Sequence, residues 1–300
     1  MISLSSVLAE NLEVAKFFKY RHVPKAILLQ HGGLNVKLAC PTRWSSYYEM
    51  LQRNLRIKNA LRLAIIDSNC DAPIHLQMRT LNEDDFWVPT ETVAALLKPA
   101  SHAISAAEGD FISISIAPDV FSYMEASMIQ TLRQSFLSDE EKKCVQSFIE
   151  NRRKFCISGQ HYAANLLDPR FRGRTLTEQQ LVLAEDTIFE IAQKTKLSTT
   201  SVSKDLLEYR TRSGALFNSS RMIWKVGYDT DPIKWWQCYG NTRQLNVVAV
   251  VLLSMSATTA AVERANKEFS LQKTKLRNSL TDERASILTS LAYNHKIKST

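Results

Sequence analysis

Glu263 is followed by Arg264 and, at i+4, by Lys267, and a carboxylate so placed has two ordinary uses. It can close an ion pair with Lys267 on a solvated helix face, or it can ligate a divalent metal. Metal-assisted phosphoryl transfer asks for more, because two cations about 3.5–4 Å apart need several acidic ligands gathered around the scissile phosphate. One glutamate does not supply that set. A second group, Thr42-Arg43-Trp44-Ser45, pairs an indole that can stack on an unstacked base with a guanidinium that can grip phosphate. The packing alternative places Trp44 beneath the helix it begins. Arg264, Lys267, Lys273, Lys275 and Arg277 form a basic stretch that suits DNA phosphates, or equally a solvated helix surface. No metal site is expected from sulfur: Cys40, Cys70, Cys144, Cys156 and Cys238 are widely spaced, and Cys156 with His161 lacks the two further ligands that structural zinc requires.

The charge is unevenly spread. Net charge is +8, yet residues 1–62 hold ten Lys/Arg against three acids, while residues 67–150 hold fourteen acids against five bases. Residues 264–298 are basic again, so phosphate attraction belongs to the two ends. At 300 residues, 45% hydrophobic, with 8 Gly and 8 Pro, the chain has the composition of one large or two ordinary globular domains. No window approaches about 18 consecutive apolar residues, and Glu10 and Glu13 break any signal-peptide layout, so the reading is a soluble intracellular protein with no membrane partner.

Helical spacing dominates the elements that must carry these groups. Leu4, Val7, Leu8, Leu12, Ala15 and Phe18 predict a helix over 4–20, interrupted by Pro24. Val36 to Cys40 alternates before Pro41 and is the best strand candidate. One long helix is predicted over 44–66, a loop or short helices over 67–84, and a helix over 86–107 kinked at Pro99. Phe111 to Ile116 alternates like a strand but has no evident pairing partner. Further helices are predicted near 119–135, 139–156, 176–195 and 203–213, and residues 197–231 form a polar connection.

The last block predicts three helices. Leu245, Val247, Val248, Val250, Val251, Leu252 and Leu253 make a helix apolar around most of its girth, which needs cover from this chain or from a second one. Trp235 and Trp236 before it read as core or dimer-contact residues. A middle helix carries Glu263, and a final one, capped by Thr281, carries Ile287, Leu288, Leu291 and Ala292.

The segment from Asp231-Pro232-Ile233-Lys234-Trp235-Trp236 to Leu291-Ala292-Tyr293-Asn294, with Thr42-Arg43-Trp44-Ser45 near the other end, resembles the hAT superfamily of cut-and-paste DNA transposases. Ala164 to Arg170, which reads Ala-Asn-Leu-Leu-Asp-Pro-Arg, and Pro99 with Glu108-Gly109-Asp110 look like internal motifs of that family in the same order. The resemblance implies that Glu263 is the third catalytic acid, with Val262 in place of the usual serine. It implies two catalytic aspartates, and commonly a BED-related zinc finger, upstream of the stretch that begins at Met1. The fold it implies is mainly α: a helical insertion plus the C-terminal helices of an incomplete RNase H-like domain, with one short strand. The implied boundaries are 1–45 for the RNase H-like remnant, 46–230 for the insertion, and 231–300 for the C-terminal dimerisation region. The expectation is a truncated, nuclear, non-catalytic transposase derivative that forms a homodimer or higher oligomer. Trp235, Trp236, Leu245, Val248, Leu252, Leu288 and Leu291 are its candidate dimerisation residues. Arg43, Trp44 and the five basic residues from Arg264 to Arg277 are candidates for DNA. No cofactor is expected, Mg²⁺ or Mn²⁺ entering only with a complete transposase. The competing expectations are a DNA-binding regulator and a fragment of an active enzyme.

Overall fold

A computed structural model describes residues 3–109, 112–273 and 280–298. They are almost entirely helical and fall into two compact units, Met1–Ser105 with Val120–Phe155, and Ala106–Asp119 with Cys156–Thr300. No described helix is long and apolar enough to cross a membrane.

The first unit contains α1 (Leu4–Tyr20), α2 (His22–Gln30), α3 (Trp44–Arg56), α4 (Lys58–Ile65), α5 (Ile74–Leu81), and most of α6 (Val88–Ala107), α7 (Ala117–Arg133) and α8 (Asp139–Cys156). Ser3 and Ser6 close a reciprocal capping box that starts α1. Pro24 does not end the helical region: it is the third residue of α2, where its missing N–H costs no helical bond. The expected helix over 44–66 is broken at Ile57 (φ −106°, ψ 16°), leaving α3 and α4 as separate pieces on one core. That core joins Phe18 and Leu28 to Met50, Leu51, Leu61, Ile65 and Trp87. Inside it Asn11 donates to Thr90 Oγ1 at 2.8 Å and accepts from Asn54 Nδ2 at 3.1 Å, so hydrogen bonds link three buried polar residues between helices, with Asn54 Oδ1 left unpaired.

The second unit is built around α9 (Gly159–Leu167), whose residues Tyr162 to Leu167 are all buried. Around it stand α10 (Glu178–Lys194), α11 (Thr199–Thr211), the single turns α12 (Gly214–Phe217) and α13 (Ile223–Val226), then α14 (Pro232–Tyr239) and α15 (Gln244–Leu253). A hairpin of α16 (Ala260–Gln272) and α17 (Asp282–Lys298) ends the chain. α10 starts at a Thr177–Gln180 capping box, α14 at Asp231 with Pro232 as first residue, and α11 ends where Arg212 turns left-handed (φ 51°).

The strand expected over 36–40 is not formed. Among the described residues there is no β-ladder, and an alternating pentapeptide without a neighbouring edge has nothing to bond its backbone. Residues 112–116 form one antiparallel bridge, Ser113 with Ser256, followed by a 3₁₀ turn, and Phe111 and Asp110 lie outside the described residues. The compact units also depart from boundaries at 45 and 230. α1 and α2 share a core with α3 and α4, and the C-terminal helices pack with 106–119 and 156–230.

Candidate functional site

Trp235 and Trp236 are fully buried, and the second unit itself covers them. Tyr209 lies 5.1 Å from Trp236 and 5.6 Å from Trp224, ring centre to ring centre, and Phe217 stacks on Trp235 at 6.2 Å and 12°. Each indole and phenol finds an acceptor: Trp235 Nε1 donates to Ile223 O at 2.9 Å, Trp236 Nε1 to Leu167 O at 2.7 Å, and Tyr209 OH to the same oxygen at 3.2 Å. Leu167 ends α9, so its carbonyl has no helical partner and two aromatic donors satisfy it. Burial pushes the Tyr209 phenol well above its usual pKa. α15 buries Leu245, Val248 and Leu252 completely against α9, α11 and α14. Five of the expected dimerisation residues are therefore interior to one chain.

Asp168, next along from Leu167, is also fully buried. One carboxylate oxygen accepts from Arg170 N at 3.0 Å and Arg170 Nε at 2.9 Å, and the other from Arg170 Nη2 and Ser115 Oγ, both at 2.7 Å. That carboxylate holds the Arg170 guanidinium above its ordinary pKa. Asn165 Nδ2 donates to Ser115 O at 2.8 Å and Asp119 Oδ2 at 2.5 Å, fastening the 106–119 segment to α9. The same segment grips the start of the hairpin: Ile114 N donates to Met255 O (3.0 Å), Ala257 N to Ile112 O (2.9 Å), and Arg264 Nη2 to Glu108 O (2.8 Å). Apart from the Arg170–Asp168 bonds, these join positions 46 or more apart, and residue spacing carries no sign of them.

The hairpin carries the remaining candidates. Glu263 is exposed on α16, and no ion pair joins it to Lys267 among the described residues. Lys267 and Lys273 are exposed, Lys273 pairing with Asp282 at the head of α17, and Lys275 and Arg277 lie outside the described residues. On α17, Ala285 and Thr289 are buried while Ile287, Leu288 and Leu291 are 61%, 41% and 64% exposed.

Residues 216–295 match the family model of the hAT family C-terminal dimerisation region. The C-terminal portion of this chain is hAT-transposase-related. No curated protein matches the chain. The matched hAT region takes in Phe217, Trp224, Trp235 and Trp236 of the aromatic cluster, α15 and most of the hairpin.

Among the described residues no three of His, Cys, Asp and Glu gather as a metal-holding group, so Glu263 has no described acidic companions for a metal pair. His161 does not join Cys156 as a ligand; its Nδ1 accepts from Ser158 N at 3.2 Å in the capping box that starts α9. In the first unit Trp44 is 59% exposed and does not pack beneath α3. It stacks on the exposed ring of Phe148 at 6.1 Å and 26°, and Arg152 lies 5.2 Å over that same Phe148 ring. Arg43, exposed, immediately precedes it.

Proposed function

We propose that this chain is a transposase-derived protein that self-associates through its C-terminal helices and does not cut DNA. The observation that carries the reading is the match of residues 216–295 to a dimerisation region, which covers the α16–α17 hairpin with its exposed Ile287, Leu288 and Leu291. The non-catalytic part rests on the donor set: one exposed glutamate does not bridge two cations. On this reading the C-terminal helices correspond to those that complete an RNase H-like domain in the family, and the protein works in the nucleus. Sedimentation of the whole chain should give twice the mass of one copy at micromolar concentration, and a monomer there overturns self-association. Incubation with Mg²⁺ or Mn²⁺ and labelled duplex DNA should leave the DNA intact; nicking that disappears in Glu263→Gln overturns the non-catalytic part.

A second reading, contact with DNA, is favoured by one observation. Trp44 and Phe148 form an exposed aromatic pair with Arg43 and Arg152 beside it, a combination suited to unstacked bases and their phosphates.

A further inference from the structure

We infer that a cleft in the second unit binds an aliphatic cation, the ammonium or guanidinium head of a lysine-like or arginine-like stem, with Asp229 and Asp231 receiving the head. The inference is independent of self-association. The cleft has a volume of about 390 Å³ and lies where residues 228–233 face the 112–113 and 253–256 segments, all of them in the second unit. Concavities of that size are the ones that take small ligands or single side chains of a partner. One wall is apolar, formed by Pro232, Ile233, Leu253 and Met255.

The polar lining selects the charge of the occupant. Thr230 Oγ1 donates to Val226 O at 2.8 Å, Ser254 Oγ to Val251 O at 2.9 Å and Ser256 Oγ to Thr258 O at 2.8 Å, so these three hydroxyls have spent their protons and offer only lone pairs. Asp231 accepts Lys234 N–H on one oxygen at 2.9 Å to start α14. Its other oxygen, like the Asp229 carboxylate, has no donor among the described residues. The lining side-chain donors that remain are Ser113 Oγ, Tyr228 OH and Nη1 of Arg170. Arg170 does not make the cleft basic, because buried Asp168 holds its Nε and Nη2. In the cleft and directly behind it, Asp168, Asp229 and Asp231 outnumber Arg170 and Arg174, the latter bonded to Tyr228 OH. A fitting ligand therefore donates several hydrogen bonds, carries positive charge and brings methylenes to lie on the apolar wall. An amine or guanidinium on an alkyl stem has all three properties, and an anion lacks the first two. The same chemistry is presented by a free polyamine and by a basic side chain of a peptide.

Isothermal titration of the whole chain tests this with three probes: agmatine, the uncharged butylurea of similar shape, and the peptide acetyl-Gly-Arg-Gly-amide. Wild type is compared with the double variant Asp229→Asn with Asp231→Asn, in which asparagine still caps α14. Wild type should bind at least one of the two cations saturably below about 1 mM, and butylurea about tenfold more weakly. The double variant should lose about tenfold in affinity for the cation. A tighter peptide assigns the head to a basic side chain, and tighter agmatine assigns it to a free amine. No saturable binding of either cation overturns the inference. So does butylurea binding as tightly as agmatine, or a double variant with native circular dichroism that binds like wild type. If the double variant unfolds, Asp229→Asn alone, which caps no helix, must weaken cation binding, and unchanged affinity there overturns the inference as well.

Discussion

Asp168 is the residue on which most of the second unit's polar interior converges. Its carboxylate has no contact with water and takes four donors, three of them from Arg170. Replacing it with alanine strands a part-buried guanidinium and leaves Ser115 Oγ without its acceptor, the circumstance in which breaking one side of a buried pair costs about 3–5 kcal/mol. Asp168→Ala should therefore lower the urea midpoint of the second unit markedly, whereas a midpoint shift no larger than that of an exposed Asp, such as Asp229→Ala, contradicts this account. The motif around Asp168 was visible in the sequence, but its partners were not. Ser115 is a small hydroxyl in an alternating stretch that resembled an unpaired strand, and its role exists only once α9 brings residue 168 beside it.

At the level of elements, the start of α9 carries a pH dependence. The His161 pKa is lowered from 6.5 because burial disfavours the cation, and its Nδ1 serves as an acceptor for Ser158. A histidine whose folded value lies below its unfolded one contributes stability that is complete above 6.5 and is lost as pH falls from there through the folded value. His161→Gln keeps an acceptor for the capping box, so melting temperatures recorded from about pH 7 down to about pH 5 should fall less steeply in the variant. Parallel slopes would show that another group is responsible. α15 was only half legible in the sequence. Its all-round apolar pattern said that it had to be covered, and left open by what; packing among α9, α11 and α14 answers from within the chain. An aspartate at Leu252 should accordingly unfold the unit instead of separating a dimer, visible as lost helicity by circular dichroism. Helix spacing found α1, α7, α8, α10 and α11 to within a few residues, because their apolar periodicity is local. The Val36 to Cys40 strand failed because alternation fixes which way side chains face and says nothing about whether a second edge exists.

For the molecule as a whole, the two compact units cut across divisions drawn from the order of motifs. Residues 1–45 look like a remnant in sequence, yet Phe18 and Leu28 are sealed against Met50 and Leu61 and belong to the first unit's core. Long-range packing of this kind leaves no trace in local composition. The charge distribution is a whole-chain property too, with the net +8 held mainly at the two ends. If the aromatic pair of the first unit takes unstacked bases, the chain should bind single-stranded oligonucleotide with an affinity that drops steeply with added salt, about 0.7 in log–log slope for each phosphate neutralised. Trp44→Ala should weaken single-strand binding more than duplex binding, as a fluorescence-anisotropy titration would measure; equal loss on both, or no dependence on salt, counts against that use of Trp44.

The placement of the indoles makes the protein its own optical gauge. Of the five tryptophans, Trp87, Trp224, Trp235 and Trp236 are shut away, and only Trp44 is open to a dissolved quencher such as iodide. Quenchable emission thus reports the surface of the first unit, and the blue-shifted, protected remainder reports the two interiors, with no dye attached.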